Sequence, residues 1–152
     1  MNSQLKNKKE EATIIDANNL VLGRMGSIVA KRLLLGEEIK IINCKDVIML
    51  GKKKFLVKKY KDKFSNKVVK QGPYYSRSPA EIVRRSLRNM LPYKNSRGVE
   101  AYSRLKCYNS LPSILANSKK NSVENAKMNP QSVFYYTKVG ELSEALGFVR
   151  KQ

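Results

Sequence analysis

The side chains of this sequence that could do chemistry are almost all cationic. Its 152 residues include 31 lysines and arginines against 12 acids, which gives a formal charge of +19, and there is no histidine. A compact domain with this much like charge repels itself, so its working state should include neutralising phosphates. The composition therefore predicts a polyanionic partner, and nucleic acid is the first candidate.

The remaining reactive residues do not assemble into a catalytic or metal site. Histidine, the commonest general base at neutral pH, is missing. Asp16, Asp46 and Asp62 are scattered without a spacing that pairs them. Cys44 and Cys107 are far apart in the sequence, and we expect reduced thiols rather than a zinc site or a disulfide. We expect no catalytic residue, no metal, no cofactor and no small-molecule substrate.

A glycine pair at a strand-to-helix junction, Gly23-Arg24-Met25-Gly26, is the one segment that suggests nucleotide binding. A helix N-terminus offers free N–H groups and a favourable dipole to phosphate. The segment lacks the spacing of a dinucleotide fingerprint or a P-loop, and no acidic ribose ligand follows a second strand. Three interpretations stay open: a cofactor phosphate, glycines that allow close helix packing, or an RNA phosphate near Arg24.

Three basic clusters carry the strongest functional signal. The lysine segment covers residues 52–63, the arginine arc consists of Arg84, Arg85 and Arg88, and a downstream cluster lies between residues 97 and 106. A merely solubilising surface would mix both signs of charge. Arginines suit bidentate contact with phosphate, and lysines suit looser attraction to a backbone. We therefore expect at least two of these clusters to contact nucleic acid.

The N-terminal third predicts a strand, a helix and a second strand. A strand is expected over residues 13–17 and a helix from residue 22 to a stop at Gly36, and residues 39–43 form an apolar run that suits a strand covered on both faces. This order favours a βαβ crossover and a parallel sheet. The apolar side of the helix consists of Leu22, Met25, Val29 and Leu33.

The lysine segment has apolar residues at roughly helical spacing, and these predict a helix or arm that lies on the body and turns its lysines outward. They are Phe55, Val57, Tyr60 and Phe64. Gly72-Pro73 ends this segment.

A central helix begins at Ser78-Pro79-Ala80-Glu81, which has the pattern of a capping box with Ser78 as the N-cap. We expect it to run to about Leu91, with the arginine arc opposite its core side. That core side consists of Val83, Leu87 and Met90. Tyr74, Tyr75, Tyr93 and Tyr102 lie near the basic clusters in the sequence and either stack on unpaired bases or pack within the protein.

The C-terminal half predicts shorter elements. We expect a helix over 96–104, a strand over 105–108, a strand over 133–137 and a helix over 139–146. Residues 109–131 show no clear periodicity and are interpreted as an irregular surface excursion.

The fold class predicted is α/β: a single compact domain with a central, mostly parallel sheet of about four strands, flanked by helices and carrying basic extensions. The domain spans residues 13–148, after a polar leader at 1–12 and before a short end at 149–152. No run of about 18 apolar residues predicts a membrane span, and the leader lacks the apolar middle of a secretory signal, so we expect an intracellular protein.

Several strings in order resemble the universal large-subunit ribosomal protein L13 family in its archaeal and eukaryotic form, over about residues 13–148. They are Ile15-Asp16-Ala17, Leu22-Gly23-Arg24-Met25, Ile41-Ile42-Asn43-Cys44-Lys45, Gly72-Pro73-Tyr74-Tyr75 with Arg77, Pro79, Ile82 and Arg85, Arg88-Asn89-Met90-Leu91-Pro92, Lys94, Arg97-Gly98, Ala101, Arg104-Leu105-Lys106-Cys107-Tyr108, Val139-Gly140-Glu141-Leu142 and Leu146-Gly147. Asn89 replaces a usual glycine, residues 109–131 match poorly, and the chain stops before the long C-terminal helical extension of many eukaryotic members. Any partner of that extension is expected to be lost or compensated elsewhere.

The resemblance implies a non-catalytic structural protein of the large ribosomal subunit that binds folded ribosomal RNA and neighbouring ribosomal proteins. It also implies a cytoplasmic location, with a nucleolar stage during assembly if the source is eukaryotic. Together with the clusters, it gives these candidate RNA-binding residues: Arg24, Lys52, Lys53, Lys54, Lys58, Lys59, Lys61, Arg77, Arg84, Arg85, Arg88, Lys94, Arg97, Arg104 and Lys106. An RNA regulator acting off the ribosome and a small nucleotide-dependent enzyme are the alternatives.

Overall fold

A parallel sheet lies at the centre of the computed structural model, which describes residues 12–66, 70–129 and 135–149. The strands are β1 (Thr13–Asp16), β2 (Ile39–Ile42), β3 (Ile48–Leu50), β4 (Leu105–Cys107), β5 (Lys120–Asn121) and β6 (Tyr136–Lys138). The helices are α1 (Leu22–Leu34), α2 (Lys53–Ser65), α3 (Pro79–Arg88), α4 (Ser96–Ser103) and α5 (Val139–Ala145). Single 3₁₀ turns occupy Cys44–Asp46, Ser113–Leu115 and Glu124–Ala126.

The central sheet has the strand order β4-β2-β1-β5, and each pair in it is parallel. Ile15 of β1 faces Ile41 of β2, which in turn faces Cys107 of β4. The predicted βαβ crossover from β1 through α1 to β2 is therefore confirmed, as is the α/β fold class with a four-stranded sheet in a single compact domain.

Two strands lie where the sequence pattern gave no strand. β5 comes from the predicted surface excursion and pairs with β1 at the edge of the sheet. β3 pairs antiparallel with β6 in a separate two-stranded sheet. Both β3 and β5 are only two or three residues long, too short for an alternating pattern to show. The first two residues of the strand predicted over 133–137, and the leader before Ala12, lie outside the described residues.

The sheet buries apolar side chains on both faces. Leu22, Met25, Val29 and Leu33 of α1 are buried in the main core, as their spacing predicts. Ile41 belongs to that core, whereas its neighbour Ile42 packs with Ile14 and Leu115 on the other face. Adjacent side chains of a strand point to opposite faces, so this split confirms that β2 is covered on both sides. Each such side chain contributes about 1.5–3 kcal/mol through burial.

Helix α3 begins as predicted, with Ser78 at the N-cap position and Pro79 as its first residue, but the bond at its start comes from a residue distant in the sequence. The Ser78 side chain makes no capping bond. Instead, Asn109 Oδ1 accepts hydrogen bonds from the Ala80 N–H at 2.8 Å and from Ser78 Oγ at 3.3 Å. A side-chain oxygen at this place satisfies one of the free N–H groups of a helix N-terminus. Asn109 therefore supplies the side-chain acceptor that the local pattern predicted for Ser78.

The end of α3 also differs from the prediction. The helix ends at Arg88, and the N–H groups of Met90 and Leu91 bond three residues back, to Leu87 and Arg88. This tighter last turn rotates the chain away from the helical repeat. Met90, predicted on the core side, is 40% exposed, while Leu91 is buried. Asn89 has φ −70°, a helical value, so the glycine usual in the resembled family is not required at this position.

Candidate nucleic-acid interface

Helix α2 carries the lysine segment and packs against the rest of the protein through a narrow apolar stripe. Leu56 is buried together with Leu142 and Leu146 of the C-terminal part, and Val57, Tyr60 and Phe64 pack beside them. Phe55, predicted on this stripe, is instead 65% exposed. The spacing Leu56, Tyr60, Phe64 follows the four-residue repeat of one helix face, and Phe55 precedes it by about 100°. The helix is thus anchored as predicted, but through Leu56 rather than Phe55.

Apart from Lys63, the lysines of α2 point away from this stripe, as predicted. Lys54, Lys58, Lys59 and Lys61 are exposed. Lys52 Nζ lies 4.3 Å from the centroid of the Tyr135 ring. Lys53 Nζ lies 3.5 Å from Glu141 Oε2 in an exposed pair, and such pairs contribute little to stability. The surface of α2 is consequently free to attract a polyanion.

The arginine arc of α3 is covered by tyrosine rings. The guanidinium carbon of Arg84 lies 4.7 Å from the Tyr102 centroid and that of Arg88 lies 4.9 Å from the Tyr93 centroid. Arg85 contacts Tyr75 in the same way, at 3.9 Å, and its Nη1 donates a hydrogen bond of 2.8 Å to the Tyr74 carbonyl. Guanidinium groups stack well on aromatic faces.

This stacking changes the character of the arc. Its three arginines are half-buried, and they do not form the open cationic face that the helical pattern indicates. Within the described residues, the buried Nε atoms of Arg84 and Arg88 have no hydrogen-bond partner. The guanidinium groups are therefore oriented by rings while part of their donor capacity is unused. Such cations lose little side-chain entropy when they meet a phosphate.

Three of the four tyrosines in question pack against arginine side chains of the protein, although one of them, Tyr93, is 40% exposed. Tyr75, Tyr93 and Tyr102 contact the arginine arc. Tyr74 is 66% exposed. Tyr60 of α2 is half-buried, and its burial raises the pKa of its phenol above the ordinary value, although the nearby Arg85 acts in the opposite direction.

The lysine segment and the arginine arc border one cleft of about 340 Å³. We call it the tyrosine cleft, and it lies between α2, residues 72–78, α3 and α4. Lys63 lies inside it, with its Nζ 4.9 Å from the Tyr60 centroid and 5.9 Å from the Tyr75 centroid. Nearby, Arg77 is exposed, with its guanidinium 5.4 Å from the Phe64 centroid. The structure thus joins two clusters that the sequence keeps apart.

The downstream cluster is mixed in character. Lys94, Arg97 and Lys106 are exposed. Arg104 is half-buried, and its Nη2 donates a hydrogen bond of 3.0 Å to the Leu33 carbonyl at the C-terminal end of α1. A cation at a helix C-terminus is favoured by the helix dipole. Arg104 therefore has a structural contact that its sequence context did not reveal.

The glycine pair supports close packing at one of its two positions. A Cβ on Gly26 would lie 2.7 Å from Met90 Sδ and 3.3 Å from Leu87 Cδ2, so α1 approaches α3 closely there. A Cβ on Gly23 would have no neighbour within 4 Å, and Arg24 is exposed. The close-packing interpretation therefore holds for Gly26, and Arg24 stays a candidate for an RNA phosphate.

The two cysteines, far apart in the sequence, meet in the structure. Cys107 pairs with Ile41 at the end of β4, and the Cys44 N–H bonds to the carbonyl of Tyr108 at 3.1 Å. A side-chain hydrogen bond with Cys44, followed by burial, raises the pKa of the Cys107 thiol well above its ordinary value. Both thiols are free, and Cys44 is buried. A raised pKa keeps the reactive thiolate scarce.

Two other kinds of site are absent from the described parts of the chain. No group of three or more potential metal ligands lies together in residues 12–66, 70–129 and 135–149. None of the helices described there has the length and apolar character to cross a membrane.

Comparison with known proteins gives a consistent family. Residues 10–113 match the family model described as "Ribosomal protein L13". The chain is 44% identical to the "Large ribosomal subunit protein uL13" of Methanopyrus kandleri, over 91% of this chain and 89% of that one. It is 42% identical to the protein of the same name from Thermoplasma volcanium (88% and 97% covered) and 40% identical to that from Methanosarcina barkeri (89% and 97% covered).

Proposed function

Because the chain belongs to the ribosomal protein L13 family, a family of structural proteins of the large ribosomal subunit and not of enzymes, we propose that it binds and stabilises folded large-subunit RNA through its clustered lysines and arginines. On this proposal its partners are that RNA and neighbouring ribosomal proteins, and it works in the ribosome of the cytoplasm. Neither a cofactor nor a small-molecule substrate takes part.

The observation that carries the proposal is the difference between the two main clusters. Apart from Lys63, the lysines of α2 are exposed, whereas the arginines of α3 are held by rings. The lysines attract the RNA backbone at long range, and every phosphate that they neutralise releases condensed counterions. The arginines then make oriented, bidentate contacts with phosphates that are already close. The two together fix RNA segments relative to each other without reading base sequence.

Sedimentation of a native lysate on a sucrose gradient, at moderate and then high salt, tests the location. We expect the chain to stay with large subunits and whole ribosomes at both salt concentrations, because many buried contacts dissociate slowly. A chain that runs as a free small protein contradicts the ribosomal role and favours a regulator that acts off the ribosome.

A charge-matched pair of variants tests the role of α2. In the first variant Lys54, Lys58, Lys59 and Lys61 become glutamine, and in the control the exposed Lys31, Lys119, Lys120 and Lys127 become glutamine. Each variant removes four charges, so non-specific attraction falls equally. We expect the first to weaken binding to large-subunit RNA more and to lower the salt slope by roughly 0.7–0.9 for each phosphate that is no longer neutralised. Equal effects of the two variants contradict the assignment to α2.

A further inference from the structure

The tyrosine cleft has the size of a ligand site. Its volume of about 340 Å³ falls at the lower end of the range for ligand pockets, roughly 300–1,000 Å³. It is more polar than most such pockets, because tyrosine, serine and charged side chains form much of its lining. It also lies where the lysine segment meets the arginine arc. A ligand that fills it would contact α2 and α3 at once.

The charges in the cleft favour an anion. Lys63, Arg85 and Arg88 line it, and Glu81 is the one carboxylate among the described lining residues. Glu81 Oε1 lies 3.9 Å from Arg84 Nη1, so a further arginine partly neutralises it. A phosphate entering the cleft would therefore meet a net positive environment partly shielded from water, where Coulomb attraction is stronger than at an open surface.

The aromatic groups in the cleft leave one ring available. The Tyr75 ring already contacts Arg85, and it meets the Phe64 ring edge-on, at 6.2 Å and 83°. The Tyr74 ring makes no such contact with a cation or ring in the described residues, and it is 66% exposed. A Cβ on Gly72 would lie 3.2 Å from Tyr74 Cδ2, so the ring rests close to the backbone of Gly72. An exposed, positioned ring beside cations is what stacks an unpaired base.

One cation of the cleft has an unsatisfied donor. Arg88 Nε is buried and has no hydrogen-bond partner within the described residues. A buried donor without a partner costs free energy. A phosphate or sugar oxygen in the cleft would supply the acceptor that the Arg88 guanidinium lacks.

We propose that the tyrosine cleft accepts one unpaired nucleotide of RNA, with its base on the Tyr74 ring and its phosphate between Lys63 and Arg88. The inference rests on the proposed function and deepens it, since it names the form of RNA that this site takes. A single carboxylate of a protein partner would fill only part of the cleft and leave the Tyr74 ring exposed. Stacking tolerates any base, so the site adds affinity and register but little sequence preference.

Ultraviolet cross-linking of intact large subunits, followed by nuclease and trypsin digestion and mass spectrometry, tests the site directly. Trypsin cleaves after Lys70 and Arg77, so Tyr74 and Tyr75 lie in one peptide, residues 71–77. We expect this peptide to carry a ribonucleotide adduct, the part of the cross-linked RNA that remains after nuclease digestion.

The remaining outcomes separate the two proposals. RNA adducts on peptides of α2 or residues 94–106, with none on 71–77, overturn the cleft inference and leave RNA binding intact. A cross-link from 71–77 to a protein also overturns it. A chain that carries no RNA adduct and sediments free of subunits overturns the proposed function itself.

Variants of the exposed ring provide a second, quantitative test. We expect Tyr74→Ala in the full-length chain to weaken binding to large-subunit RNA by between about fivefold and 150-fold, the range for loss of one stacked base. Tyr74→Phe keeps the ring and should bind like the natural chain. Tyr136→Ala removes a ring of similar exposure, 49%, that does not line the cleft, and should have no effect. Equal binding by Tyr74→Ala and the natural chain overturns the inference.

Discussion

At the scale of single residues, the arginine arc shows how the role of a charged side chain depends on the aromatic rings that contact it. Arg84, Arg85 and Arg88 have the spacing of one helix face, but each is half-buried under a ring supplied by a different part of the chain. A lysine at these positions would keep the charge without the planar stacking. The ring contacts of the arc therefore require arginine, whereas the exposed positions of α2 require only a positive charge.

Gly98 is the residue whose replacement should disturb the fold most for its size. A Cβ there would overlap the carbonyl group of Pro92, a backbone neighbour that cannot rotate away. We expect Gly98→Ala to lower the free energy of unfolding by about 1–3 kcal/mol, the usual cost of overpacking. Urea unfolding measures it. Gly23→Ala is the matched control, because a Cβ on Gly23 meets nothing within 4 Å, and it should be neutral or stabilise by up to about 1 kcal/mol. Equal effects contradict the explanation.

The raised pKa of the Cys107 thiol predicts that stability depends on pH. Its pKa is raised in the folded chain by the hydrogen bond with Cys44 and by burial. The protonated thiol therefore stabilises the fold fully below the unfolded pKa of about 8.5, and this contribution is lost as the pH rises above it. Urea unfolding between about pH 7 and 9.5, in reducing buffer, should show a steeper fall for the natural chain than for Cys107→Ala. Parallel curves would show that Cys107 is not the cause.

At the scale of elements, α3 is the part that positions the interface. Its apolar side, Val83 and Leu87, is buried in the core, while its N-terminus is fixed from the start of the 109–131 excursion. Asn109 thus couples a segment with little regular structure to the helix that carries the arginine arc. The excursion also supplies β5 to the sheet, so it is part of the structural frame.

The helix cap can be tested with two substitutions. Asn109→Ala removes the acceptor of the Ala80 N–H, and we expect it to lower the free energy of unfolding by about 1 kcal/mol. Ser78→Ala, at the cap position that the sequence pattern indicates, should cost less because Ser78 makes no capping bond. Thermal unfolding of both variants measures the difference. A larger destabilisation by Ser78→Ala would contradict the cap seen in the structure.

At the scale of the whole molecule, a chain with a formal charge of +19 is built around a small apolar core. The core forms on both faces of a four-stranded sheet, and many of the described cations lie on the helices around it, such as Lys54 on α2 and Arg84 on α3. Self-repulsion opposes the compact state of the free chain, and RNA phosphates remove that repulsion. Folding stability and RNA binding are thereby linked through the same charges.

Salt should act in opposite directions on these two properties. For the isolated full-length chain, we expect Tm to rise by a few degrees between about 50 mM and 500 mM NaCl, because screening weakens repulsion between exposed cations. Affinity for large-subunit RNA should fall steeply over the same range. Differential scanning fluorimetry and filter binding measure the two. A Tm that does not change with salt would show that charge repulsion contributes little to stability.

Elements with a local cause could be predicted from the amino-acid order alone. Helix α1 was predicted together with its buried residues, and β1, β2 and the crossover between them followed from apolar runs and turn residues, because burial on one face repeats with the period of the element. The excess of cations, the lack of a general base and the family strings likewise indicated the class of protein.

Contacts between distant residues became apparent only in the folded chain. The side chain of Asn109 rather than that of Ser78 accepts the N–H bond at the start of α3, and Leu56 rather than Phe55 anchors α2. Cys44 reaches Cys107 because β2 and β4 are neighbours in the sheet. The covering of the arginine arc by tyrosines from outside α3 is of the same kind. Such contacts depend on how the elements are placed against each other, and that placement is set by the shape of the whole core, which no local period in the sequence encodes.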